Sequence, residues 1–363
     1  MKPFRLQVPE AALADLRERL KRTRFPDEAP GEPWKTGTSL AYLKDLLQYW
    51  QRGFDWRAQE ARINDYPQFK VPIDGIELHF LHVRSKKPGA MPLLLAHGWP
   101  GSIVEFLGLI PLLSEHFTIV APSLPGYTLS FAPNQKRFGV EEIAESFIKL
   151  MTEVLGYNKF GTQGGDWGAF ITSRMAALRP ELFTGLHLNY LTVPRDGAAG
   201  DAGWQAQLAD WVKERSAYSI IQGTRPQTLA YGLTDSPAGL AAWIAEKFHA
   251  WTDNDGSIDS AVARDDMLAN ISLYWFTGAI GSSFWNYYAR THGSWPVPFP
   301  ITVPTAYSAF PKEILRPPRA VADKYYTNIR RWTVMEKGGH FAALEQPAAL
   351  AKDIAGFFAS LGP

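Results

Sequence analysis

The sequence predicts an α/β protein: a mostly parallel, doubly wound sheet with a helical extension in front of it and a helical insertion before its last strands. Three observations carry this reading. Strand-length apolar runs alternate with helical patterns from Ile76 to about residue 190 and again after residue 299, the rhythm of βα units. Helical periodicity dominates residues 1–70, and aromatic-rich helical patterns fill residues 191–298. At 363 residues the chain exceeds the usual size of a single core, so one large domain with an elaborated subdomain, or two domains, is expected.

The elements follow in order. Pro9 opens a helix on Leu13, Leu16 and Leu20, with Glu10 in its first turn and Lys21, Arg22 and Arg24 at its far end, where cations oppose the helix dipole. The stretch PDEAPGEPWKTGTS breaks it, and Leu40, Leu43, Leu47 and Trp50 mark a second helix. Residues 1–70 thus read as a helical extension. Ile76, Leu78 and Phe80 then alternate, and the unbroken MPLLLA is the pattern of a strand buried on both faces. FTIVAP (117–122), a helix over 140–155, KFGTQ before Gly164, a helix over 167–178 and GLHLN (185–189) continue the alternation. After the insertion, PTAYS (304–308), RRWTVM (330–335) and a helix following Pro347 close the fold. The expected organisation is a core of residues 71–190 and 299–363, with 191–298 as a lid over the carboxyl edge of the sheet, where such sheets bind ligands.

Composition excludes several functions. Lys and Arg total 37 against 36 Asp and Glu, which leaves no electrostatic footprint for nucleic acid. There is no cysteine, so disulfides, thiolate metal sites and cysteine nucleophiles are absent. No run approaches the roughly 18 apolar residues of a membrane anchor, and the charged N-terminus lacks the apolar centre of a signal peptide. A cytoplasmic protein is expected.

The chemistry lies in three motifs. Gly164-Gly165-Asp166-Trp167-Gly168 has the G-x-nucleophile-x-G form of a strand-turn-helix elbow, with Asp in the nucleophile's place. Alone it could be a connection whose Asp caps a helix; lying between a predicted strand and a predicted helix, it reads as the elbow. His97-Gly98-Trp99-Pro100-Gly101-Ser102 follows the buried strand, where α/β hydrolases supply one oxyanion-hole N–H. The donors would be the backbone N–H groups of Trp99 and Trp167. A tight turn is needed to aim the first of them, so the Trp99–Pro100 bond is expected to be cis. Gly338-Gly339-His340-Phe341 follows the last strand, where this fold presents its general base; His79, His82 and His187 fall in strands and read as structural. The acid orienting His340 is assigned to Glu313, with Asp323 and Asp196 as alternatives.

Together HGWPGS, GGDWG, LYWFTGAIGSS, FPKEILRPP and GGHFAALEQP, with the N-terminal FRLQVPEAALADLRERLKRTRFPD, resemble the microsomal-type epoxide hydrolase family, which has the α/β-hydrolase fold. The resemblance runs from about Phe4 to Phe358 and rests on five spaced motifs in a shared order. It implies Asp166 as nucleophile, Glu313 and His340 as charge-relay pair, and two lid tyrosines gripping the epoxide oxygen. These map to Tyr218 and to Tyr287, with Tyr288 adjacent to the latter.

The residue types suit that reaction. Attack by Ser on an epoxide would leave an ether, whereas attack by Asp166 leaves an ester whose carbonyl water can enter. Phenols can donate hydrogen bonds to the opening ring's oxygen without carrying charge at neutral pH. No metal or organic cofactor is required. The expected partners are a small apolar or aromatic epoxide and water, in a pocket bounded by Trp99, Pro100 and Trp167, with no nucleic acid and no membrane anchor; homodimerisation is left open. A haloalkane or haloacid dehalogenase on this fold would also use Asp, His and an acid, with N–H donors such as Trp side chains for the halide. A non-catalytic binding protein that kept the fold is the reading from a different class.

Overall fold

The computed structural model describes residues 1–194 and 201–362; the alternative acid Asp196 lies outside the described residues. One sheet of nine strands runs in the order β1-β2-β3-β5-β4-β6-β7-β8-β9. The strands are β1 (Lys2–Pro3), β2 (Gln68–Ile73), β3 (Ile76–Val83), β4 (Pro92–Ala96), β5 (Thr118–Pro122), β6 (Phe160–Gly164), β7 (Phe183–Leu188), β8 (Thr305–Ala309) and β9 (Ile329–Val334). Pairing is antiparallel from β1 through β3 to β5. From β5 through β4 to β9 it is parallel. This is the α/β-hydrolase fold.

The continuous apolar runs take the centre because both faces of the sheet are covered: Leu93, Leu94, Leu95, Ile119, Val120 and Ala121 are fully buried. Strand order reverses around β4, with β5 on one side and β6 on the other, which opens a crevice beyond the carboxyl ends of β4 and β6. Two strands differ from the sequence reading. β1 and β2 add to the sheet edge within and at the end of a segment read as helical, and β2 joins β3 through a two-residue turn at Asp74 and Gly75, both at positive φ.

Between β7 and β8 the chain forms helices that include Ala217–Thr224, Pro237–Trp251, Arg264–Thr277 and Trp285–His292. The N-terminal helices Glu10–Lys21, Leu40–Arg52 and Trp56–Asn64 pack against this layer. Trp50 Nε1 donates to Ser272 Oγ at 3.0 Å, Tyr49 Oη to Asp265 at 2.7 Å, and Arg62 pairs with Asp266. Among the described residues no helix is long and apolar enough to cross a membrane.

Candidate active site

β6 delivers its chain to the crevice and turns sharply into the helix Asp166–Leu178. At the turn Asp166 sits at φ +47°, a region costly for a residue with a side chain. Its carboxylate is thereby held at the sheet's edge with 18% of the side chain accessible. The helix can start so close to β4 only because residue 168 is glycine: a Cβ there would fall 1.9 Å from the Ala96 carbonyl oxygen. Gly98 is required in the same way, since its Cβ would lie 2.2 Å from Asp166 Oδ1.

The turn after β4 aims donors at this carboxylate. Trp99 N–H donates to Asp166 Oδ1 at 2.8 Å, and Trp167 N–H bonds the same carboxylate. The Trp99–Pro100 peptide is cis, as expected from the motif; a second cis bond, Phe299–Pro300, was not foreseen. Asn270 Nδ2 donates to Pro100 O at 2.7 Å, and Tyr274 Oη to Gly101 O at 2.7 Å. Ser102 Oγ donates to Asn270 Oδ1 at 2.7 Å, so a lid helix grips the turn at three points. His97 is held in one tautomer: Leu124 N–H donates to its Nε2 at 3.2 Å, which leaves the Nδ1 proton for Gly98 O at 3.1 Å. Burial pushes it down to about 4, so it stays neutral.

His340 Nε2 lies 3.6 Å from Asp166 Oδ2, and its Nδ1 lies 2.6 Å from Glu313 Oε1. Glu313 is buried and also accepts from Ile314 N–H at 2.7 Å. Of the alternative acids, Asp323 is exposed and pairs with Arg319 at 2.7 Å. Burial alone would favour neutral imidazole, but the charge and hydrogen bond of Glu313, with the Asp166 charge beyond, push His340 up to about 9. Burial raises Asp166, opposed by the His340 charge and the two backbone donors. The other strand histidines are tied into the core: His79 to Ser123 and Gln68, His82 to Tyr157, His187 to Asp353.

The helices Ala217–Thr224 and Trp285–His292 pack together above this group and bring two tyrosines over it. The rings of Tyr218 and Tyr287 are 5.8 Å apart and both contact Trp99, at 5.5 and 5.8 Å. Tyr287 also meets Trp167 edge-on at 4.8 Å, and its hydroxyl is buried, with the Trp167 side chain beside it. Tyr288 points elsewhere, stacked on Trp285 and His292. The buried ammonium of Lys247 lies 4.6 Å from the Tyr218 ring centroid. Asp166, His340, Gly98, Trp99 and Glu105 line a small cavity of about 20 Å³. Of the three residues expected to bound the pocket, Trp99 lines it and Pro100 and Trp167 do not: Pro100 serves the turn, and the Trp167 ring packs against Tyr287.

Sequence reasoning missed Asn270, Tyr274, Lys247 and Glu105. Asn270 and Tyr274 fall in and next to the motif LYWFTGAIGSS, whose quoted likeness carried no role for them. Glu105 had a signal, a carboxylate inside the apolar run SIVEF directly after a motif.

Comparison with known proteins places this geometry. Residues 1–106 match the family described as "Epoxide hydrolase N terminus", and residues 91–232 match "alpha/beta hydrolase fold". Epoxide hydrolase 1 of Oryctolagus cuniculus is 37% identical over 98% of this chain and 88% of its own. The crystal structure of juvenile hormone epoxide hydrolase from the silkworm Bombyx mori superposes with a TM-score of 0.91 at 33% identity, covering 99% of this chain and 94% of that one. The Aspergillus niger epoxide hydrolase structure gives 0.87 at 31% identity, covering 99% and 96%.

Proposed function

The chain belongs to the microsomal-type epoxide hydrolase family and is an epoxide hydrolase, and on that premise we propose how its residues divide the reaction. Asp166 attacks an epoxide carbon while Tyr218 and Tyr287 donate to the ring oxygen, and a hydroxyalkyl ester forms on Asp166. His340, oriented by Glu313, then removes a proton from water as it attacks the ester carbonyl. The N–H groups of Trp99 and Trp167 stabilise the oxyanion, being held before reaction at the atom where charge develops.

The observation that carries this reading is the convergence on one carboxylate of Trp99 N–H at 2.8 Å and His340 Nε2 at 3.6 Å, beneath two tyrosines. Charge explains the order of events. In the resting site the Asp166 charge helps keep His340 protonated; esterification removes that charge, the imidazole's pKa falls, and it becomes a base when one is needed. The substrate is a small apolar or aromatic epoxide, supported by the rings of Trp99, Trp167 and Trp251 packed around the two tyrosines. Dehalogenase and binding-protein readings give way to the family.

A single turnover on a styrene-oxide-type substrate, with enzyme in excess in oxygen-18 water, tests it. The first diol should be mostly unlabelled, with label left on Asp166, and His340→Gln should accumulate the ester as an intact-protein mass increase. Full label in the first diol, with no adduct in the variant, would mean that water attacks the epoxide directly.

A further inference from the structure

Of the ionisable side chains lining the cavity, the mechanism above leaves two idle: His97, held neutral between Leu124 N–H and Gly98 O, and the carboxylate of Glu105. Glu105 sits in the single helical turn Ile103–Phe106, started by Ser102, whose Oγ accepts from Val104 N–H at 3.2 Å. The backbone turn beneath brings two carboxylates together. Asp166 lies against Gly98 and Glu105 against Gly101, where a Cβ would fall 1.5 Å from Glu105 Oε1. Gly98 and Gly101 are themselves joined by a 2.9 Å backbone hydrogen bond. The last glycine of the HGWPG motif therefore makes room for a carboxylate that arrives from four residues downstream.

No salt bridge or hydrogen bond from another protein group satisfies that carboxylate among the described residues. Glu105 is half-buried, and a carboxylate largely withdrawn from water and left so is costly unless water or a proton satisfies it. The cavity it shares with Asp166 and His340 holds about 20 Å³, enough for one water, which needs at least about 10–15 Å³ and two or more polar neighbours.

Resting on the covalent mechanism, we propose that Glu105 is a second acid–base residue of ester hydrolysis: it holds the attacking water against His340 and takes the water's second proton. One hydrogen of the water passes to His340 Nε2 and from there to the diol oxygen as the Cγ–O bond to the substrate breaks. The water's oxygen and its other hydrogen stay on Asp166 as a carboxylic acid. Glu105 removes that proton, and Asp166 returns to the carboxylate that attacks the next epoxide.

The charges support this sequence. In the resting site burial pushes Glu105 up to about 8 against the pull of His340, with a smaller push from Asp166, so it carries a proton. In the ester Asp166 is uncharged, and as His340 takes the attacking water's proton its new charge pulls Glu105 down, so Glu105 releases its proton to solvent, as an acceptor must. The ester's hydrolysis restores the Asp166 charge and favours protonation of Glu105 again. Over the cycle the tyrosines are recharged from solvent and no net proton is gained or lost.

The test is Glu105→Gln, which matches the size of a protonated Glu but cannot accept the proton, with single-turnover alkylation and hydrolysis read separately. Alkylation should stay within about threefold of wild type while hydrolysis falls about 10²-fold, the usual lower range for one acid–base group, so the ester accumulates. Glu105→Asp should recover part of the rate, and the pH profile of hydrolysis in Glu105→Gln should lose one ionisation. Wild-type hydrolysis in Glu105→Gln, or equal slowing of both steps with a lowered melting temperature, would make Glu105 a packing residue and overturn the proposal. Failure of the covalent mechanism itself is distinguishable, because then His340→Gln would accumulate no ester either.

Discussion

At the scale of residues, the site is a set of charges that change one another's protonation, and His340 is where this can be measured. Its value of about 9 lies above that of a free imidazole near 6.5, so its proton stabilises the folded state. That contribution is full below about pH 6.5 and is lost as pH rises through about 9. Asp166→Asn deletes one of the negative charges responsible while keeping the side chain's shape. The His340 imidazole should then titrate lower by NMR, and the fall in melting temperature between pH 6.5 and 9 should become shallower. An unchanged titration would mean that Asp166 does not set the state of the base, and the proposed switching on esterification would fail. Asp166 and His340 were legible in the sequence because backbone constraints surround them: an elbow needs small neighbours, and the final loop needs glycines. Glu105 and Asn270 were harder to see. The apolar run SIVEF singles out Glu105 but does not say that its carboxylate folds back over Gly101 toward the site.

At the scale of elements, the strands of the parallel core could be read closely because burial on both faces leaves continuous apolar runs, as in PLLLA and TIVAP. β2 was missed because polar residues break its pattern: Gln68 is buried, Lys70 half-buried and Pro72 exposed, and only the Asp74–Gly75 turn marks the hairpin. The lid was legible as helices but not as a geometry, since which helix faces meet is a long-range matter. The pairing of Ala217–Thr224 with Trp285–His292 decides which tyrosine reaches the site, and adjacent helical residues point about 100° apart. Tyr287 therefore faces Trp99 and Trp167 while Tyr288 stacks on Trp285 and His292. Replacing Tyr218 and Tyr287 together with Phe should lower single-turnover alkylation by about 10³-fold, within the range for a general acid, and leave hydrolysis of preformed ester nearly unchanged. Tyr288→Phe should alkylate at the wild-type rate. If Tyr288→Phe is the variant that loses alkylation, the assignment on this helix is wrong.

At the scale of the whole molecule, the N-terminal extension looks remote from the chemistry yet is joined to it through one lid helix. Trp50, on Leu40–Arg52, is 3% exposed and donates its indole N–H to Ser272 on Arg264–Thr277. The same helix carries Asn270 and Tyr274, whose side chains hold the carbonyls of Pro100 and Gly101. Those carbonyls belong to the turn that aims Trp99 N–H at Asp166. This gives the extension a consequence that differs from that of any site residue. Trp50→Phe removes the donor, strands the buried Ser272 hydroxyl and leaves a void, at a cost of about 2–3 kcal/mol by the usual sum of a lost buried hydrogen bond and lost packing. Because Trp99 N–H serves both the attacking carboxylate and the later oxyanion, a loosened turn should slow alkylation and hydrolysis by similar factors. The tyrosine variants should touch only the first step and Glu105→Gln only the second. Urea unfolding and single-turnover rates at a temperature where the variant is fully folded would separate these effects. Reduced stability with both rates at wild-type values would show that the extension braces the lid without setting the geometry of the oxyanion turn.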